Sequence, residues 1–164
     1  MKTFKTLLLT ALFSFSALQL TAQGATNTYN ASETSVNWFD NYSNSIRQAQ
    51  STSKPLLILF TGSNWCPACM KLEREVLHKP EFAQAVSGNF ILYKAEFADP
   101  SAEAMMRSPD KELMDRYNVK VFPTMIAIDG NGKYLFTVNY KSAGAGAYAS
   151  EIKQKLQSYQ ATKR

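Results

Sequence analysis

The chain has 164 residues, 45% hydrophobic and 19% charged, which suits one soluble domain with its own core and argues against two. Lys and Arg outnumber Asp and Glu by only 18 to 13. With no Lys/Arg run and no basic–aromatic interleaving, this excess excludes a nucleic-acid partner.

Read from its start, the sequence carries Lys2 and Lys5, then a charge-free apolar run from Thr6 to Leu20, then small residues. That order predicts a secretory signal peptide over residues 1–22, with cleavage after Ala22 or after Gly24. The apolar run is short for a membrane span, which needs about 20 residues. Without the two leader lysines, 16 basic residues stand against 13 acidic ones. Residues 23–35, rich in Thr, Asn and Ser, read as a flexible lead-in, and residues 36–164 as the folded domain.

Within the domain, Trp38, Phe39, Tyr42, Ile46 and Ala49 recur at helical spacing and predict an amphipathic helix that ends near Ser51 to Ser53. Pro55 opens the run Leu56-Leu57-Ile58-Leu59-Phe60, the pattern of a strand buried on both faces. A turn at Thr61 to Asn64 leads to Trp65-Cys66-Pro67-Ala68-Cys69. A helix follows through Met70, Leu72, Val76 and Leu77, and Pro80 is expected to end or kink it.

Phe90 to Tyr93 begins a second strand. A connection from Ala98 to Pro109 has one or two helical turns around Ala102 to Met106, with Met105 and Met106 read as core cover. Lys111 to Tyr117 reads as a helix. Thr124 to Ile128 and Tyr134 to Tyr140 form a hairpin across Asp129-Gly130-Asn131-Gly132. The closing helix carries Tyr148, Ile152, Leu156 and Tyr159 on one face. Early βαβ units followed by a hairpin imply an α/β domain, a mixed sheet flanked by helices. The chemistry then gathers at the carboxyl end of a central strand.

Cys66 and Cys69 are the only cysteines. A pair two residues apart closes a tiny loop and constrains the unfolded chain little, so its spacing favours chemistry over scaffolding. Cys66 falls at a helix N-terminus, where unpaired N–H groups favour its thiolate. Pro67 is tolerated there because its missing N–H has no helical partner. Cys66 is expected to attack a disulfide and Cys69, one turn on and less exposed, to resolve the mixed disulfide. A zinc site would need two more ligands, and only His78 and carboxylates are on offer, so no metal is expected. Met70, where His would have to stand, excludes haem attachment. The Cys66–Cys69 pair itself is the only redox group called for, with no added cofactor.

Trp65 to Cys69 after a buried strand, with Val121-Phe122-Pro123-Thr124 further along, resembles the thioredoxin superfamily. Glu73 and Pro80 after the cysteines make the pattern similar to bacterial periplasmic thioredoxin-like oxidoreductases of the DsbD C-terminal-domain and DsbH type. The resemblance implies a thioredoxin fold, with Pro123 as a cis-proline facing the cysteines and the Phe122 backbone pairing with substrate. Trp65, Pro67 and Ala68 are then expected to complete the docking surface. Thioredoxins carry a buried Asp six residues before the first Cys, and here that count falls on Phe60. Glu73, one helical turn past Cys69, is the acid offered as a proton relay in its place.

Three functions follow from these residues: a periplasmic reductase of protein disulfides, an oxidase or isomerase, and a non-catalytic binding module. Both cysteines being present speaks against the last. Potentials on this fold run from about −270 mV in thioredoxin to about −120 mV in DsbA. The resemblance associates strong oxidants with a His before the second Cys. Ala68 supplies no such donor, so a monomeric reductase is expected. It would act on exported disulfide proteins and be recharged by a membrane thiol donor.

Overall fold

The computed structural model describes residues 36–162. Strand β1 (Trp38–Phe39) is followed by α1 (Tyr42–Thr52), β2 (Leu56–Thr61) and α2 (Pro67–Leu72). A π turn (Glu73–Leu77), α3 (Pro80–Val86), β3 (Ile91–Glu96), α4 (Ala102–Arg107) and α5 (Lys111–Arg116) come next. The hairpin β4 (Thr124–Ile128) and β5 (Tyr134–Asn139) and the long helix α6 (Gly144–Ala161) complete the domain. The five strands lie in the order β1-β3-β2-β4-β5. β1 and β2 run parallel to β3, β4 is antiparallel to β2, and β5 is antiparallel to β4. This is the mixed, helix-flanked sheet of the thioredoxin fold, with β2 at its centre.

All six residues of β2 are buried because its two faces serve two halves of one core. Leu57 and Leu59 meet Leu72, Val76, Phe82, Val86 and Ile152 on the side of α2, α3 and α6. Leu56, Ile58 and Phe60 meet Tyr93, Phe97, Leu113 and Val119 on the side of α1 and α5. Each such side chain taken fully out of water contributes about 1.5–3 kcal/mol, so the sheet's centre is the rigid part of the molecule. The functional turn is anchored there.

Three expectations need correction. Trp38 and Phe39 are not helical; they pair with Leu92 and Tyr93 as the edge strand β1. The side chain of Asn41 accepts the Asn44 N–H at 2.9 Å, and this cap starts the helix only at Tyr42. The helix after the cysteines loosens into the π turn before it stops, and Pro80 then opens α3 as its first residue. The second strand begins at Ile91 rather than Phe90. The hairpin is as expected: Asp129 Oδ1 accepts the N–H groups of Asn131 and Lys133, and Gly132 takes positive φ. The predicted signal peptide and lead-in lie outside the described residues.

Candidate active site

Where β2 runs out, the chain folds back on the carbonyl of Gly62, which accepts the N–H of Cys66 at 2.9 Å and that of Trp65 at 3.3 Å. The Trp65 ring lies against the Gly62 backbone so closely that a Cβ there would stand 2.3 Å from Cε2. Only glycine fits. The indole Nε1–H donates to the Phe97 carbonyl at 2.6 Å, and the ring meets Phe122 edge-on at 6.0 Å between centroids. Trp65 is thereby fixed beside the cysteines.

Cys66 has extended backbone and caps α2 with its sulfur, which accepts the Cys69 N–H at 3.3 Å. Pro67 takes the first helical position, as its fixed φ allows. The two sulfurs are not joined in this structure. The Cys66 thiol also donates to the Phe122 carbonyl at 3.8 Å. The Phe122–Pro123 peptide is cis. The structure thus brings Trp65, Cys66, Cys69, Phe122 and Pro123 together, with Pro67 and Ala68 exposed beside them.

Cys66 keeps 7% of its surface exposed and Cys69 only 1%. Burial pushes the Cys69 thiol up to about 11, and the bond from this thiol to Cys66 pushes in the same direction. Hydrogen bonds from the Gly62 N–H and the Thr61 hydroxyl pull the other way. At neutral pH Cys69 is therefore a thiol that donates to the Cys66 sulfur. Both cysteines are buried, but the more exposed one stands one helical turn ahead of the other, the order that dithiol–disulfide exchange uses.

A cavity of about 340 Å³ opens next to Cys66, lined by Trp65, Met105, Met114, Val119, Lys120 and Phe122. Met105 is therefore part of the site as well as packed against the core, whereas Met106 points to solvent. The chain pattern gave no signal for this, because α4 and α5 approach Cys66 only in the folded sheet.

Glu73 is placed differently from the relay expected of it. Its carboxylate takes Lys94 Nζ of β3 at 3.1 and 3.3 Å, and His78 Nε2 lies 3.4 Å away. Phe60, six residues before Cys66, points into the opposite half of the core. The residue of β2 that meets the Cys69 sulfur is Thr61. Counting back from Cys66 could not find it, since the uniformly apolar run hides which strand residues share a face. Among the described residues no group of three or more His, Cys, Asp or Glu side chains is placed to hold a metal ion.

Residues 42–145 match the family of the thioredoxin-like domain. The chain belongs to that family. This thioredoxin-like protein is 28% identical to the disulfide bond reductase DsbH of Chlamydia pneumoniae over 119 residues, 72% of each chain. Its fold is similar to the solved structure of a DsbH oxidoreductase, with a TM-score of 0.65 and 26% identity over 83% of this chain and 96% of that one. It also resembles the C-terminal domain of DsbD from Neisseria meningitidis, with a TM-score of 0.56 and 16% identity over 73% of this chain and 99% of that domain. The last likeness is one of fold.

Proposed function

We propose that this protein is an exported thiol–disulfide oxidoreductase that reduces disulfides in other exported proteins. The observation that carries the reading is the unequal exposure of two cysteines at the end of the central strand, the sulfur of the first accepting the backbone N–H of the second. The similarity to a disulfide bond reductase supports it. Cys66, as thiolate, attacks a substrate S–S bond; that bond breaks, a mixed disulfide forms, and one substrate sulfur leaves and is protonated. Cys69 then attacks the Cys66 sulfur, closing the Cys66–Cys69 disulfide and releasing the second substrate sulfur. Two electrons and two protons have passed to the substrate.

Trp65, Pro67, Ala68 and the Phe122–Pro123 backbone form the docking surface, and the adjoining cavity takes an apolar side chain flanking the substrate cysteine. The pair itself is the only redox group, with no added cofactor or metal. A membrane thiol donor returns it to the dithiol, and the protein works as a monomer in the periplasm. The leader pattern of residues 1–22 supports export. Glu73 serves as a tether between the π turn and β3 rather than as a relay.

Direction is tested by titrating the Cys66–Cys69 pair against glutathione. A reductase is expected below about −200 mV, and a value near the DsbA figure of about −120 mV would make the protein an oxidase. The same sample is expected to reduce insulin disulfides when dithiothreitol is supplied.

A further inference from the structure

The cavity beside Cys66 has one fixed wall and one that can yield. The fixed wall follows α5. There Asn118 takes a left-handed turn with φ of 53°, and the Val119 N–H returns to the Met114 carbonyl at 2.9 Å. Both side chains join the apolar cluster around Phe60. The other wall is Met105 of α4, a short helix none of whose residues is buried. Met105 also lines a second cavity, of about 200 Å³, together with Phe97, Ala104 and Pro109. Methionine is unbranched and has three rotatable bonds, so this side chain has both the freedom and the space to turn aside.

Charge marks the same place. Lys120 is the exposed residue of the cavity lining, and among the described residues it makes no ion pair. Two acids line the second cavity, and both are engaged by backbone. Glu96 accepts the Ser63 N–H at 2.8 Å, and Asp99 accepts the Ser101 N–H at 2.7 Å.

We propose that Met105 and Lys120 select the disulfides this protein accepts, favouring a cysteine flanked by a large apolar residue with an acidic one beyond it. The inference rests on the exchange reading of the pair and names its substrate class. Cys66 belongs to the cavity lining, so a substrate sulfur bonded to it stands at the cavity's edge and the adjoining side chain enters. At about 340 Å³ the space lies at the small end of ligand sites, roughly 300–1,000 Å³, which suits one side chain. Leucine is taken with Met105 in place, whereas tryptophan needs Met105 to turn into the second cavity. A carboxylate further along the segment meets the Lys120 ammonium at the surface, where pairing is weak and screened by salt.

The test uses the reduced chain and a set of homodimeric peptide disulfides. The residues on either side of the cysteine are Ala, Leu or Trp, and the next ones out are Glu, Gln or Lys. Single-turnover rates are compared as ratios within one protein, which cancels any change common to all peptides. The parent is expected to reduce Leu and Trp peptides about tenfold faster than Ala peptides. Met105→Ile keeps the bulk but stiffens the side chain, and should lose the advantage of Trp while keeping that of Leu. Lys120→Glu should reverse a preference of about threefold for Glu over Lys, and about 1 M salt should abolish it. Three results would each overturn the proposal: a parent indifferent to the flanking residues, a Met105→Ile variant with the parent's Trp-to-Leu ratio, or a Glu-to-Lys ratio unmoved by Lys120→Glu. Binding is read separately from turnover. In a Cys66→Ala chain, the methyl resonances of Met105 and Met114 should move on adding a Leu peptide with Ser for Cys, and stay on adding the Ala peptide. A parent that reduces no disulfide would sink the exchange reading, and these resonances would still decide whether the cavity takes the side chain; equal response to both peptides would mean that it does not.

Discussion

The carboxylate of Glu73 and the ammonium of Lys94 are 3.1 Å apart, and the same ammonium lies over the ring of Trp38, 5.5 Å from its centroid. Glu73 belongs to the π turn, Lys94 to β3 and Trp38 to β1, so one acid ties the segment behind the cysteines to the sheet edge. Both charged side chains are about three-quarters covered. Such a pair falls between an exposed bridge, worth about 0.2–1 kcal/mol, and a buried one, whose breakage costs about 3–5 kcal/mol.

Glu73→Gln is therefore expected to lower stability by about 1 kcal/mol, read as a smaller urea midpoint at unchanged slope. Turnover of a model disulfide should match the parent at every pH. An unchanged midpoint combined with slower resolution would return Glu73 to the role of proton relay.

Gly62 and Trp65 give a second expectation. A methyl group on Gly62 would overlap the indole ring, so Gly62→Ala must push Trp65 out of its seat and stretch its bond to the Phe97 carbonyl. Overpacking of this kind costs about 1–3 kcal/mol. Near-ultraviolet circular dichroism should change along with a lower Tm. A variant with the parent spectrum and Tm would show that the ring is not held against this glycine.

Much of this architecture was legible in the residues. The run Leu56 to Phe60, the hairpin turn at Asp129 to Gly132 and the face Tyr148-Ile152-Leu156 each carry one dominant signal, and each forms as read. The cysteine pair was legible because its spacing has so few uses. What escaped depends on pairing between distant segments. Trp38 and Phe39 fit a helical period, yet two residues of parallel ladder and the Asn41 cap decide otherwise. Thr61 was hidden at the end of a strand buried on both faces, where hydropathy no longer marks direction. Met105 became part of the site only through the placement of α4 beside Cys66.

The unequal sulfurs predict unequal trapping. Cys69→Ala removes the resolving thiol, so a mixed disulfide formed through Cys66 should accumulate with a disulfide substrate and be seen as an adduct by mass spectrometry. Cys66→Ala leaves only a thiol with 1% of its surface exposed, and should trap far less. Equal adduct from both variants would remove the distinction between nucleophile and resolving cysteine.

Away from the cysteines, Asp110 is 5% exposed and accepts the hydroxyl of Tyr93, itself buried. Burial raises the Asp110 carboxyl above its ordinary value, and the bond from Tyr93 offsets only part of that. Below about pH 3.9, the usual value for aspartate, folded and unfolded chains both hold the proton and this site's contribution to stability is complete. As pH rises towards the raised folded value, the unfolded chain releases its proton first, so stability is lost across that window and stays lower above it. Asp110→Asn keeps an oxygen for the Tyr93 hydroxyl and carries no charge to desolvate. Urea unfolding from about pH 3 to about pH 7 should therefore show the variant gaining on the parent as pH rises, whatever the other carboxylates do to both. A parent–variant difference that is flat across the range would mean that Asp110 titrates alike folded and unfolded, and that its burial costs the folded chain nothing.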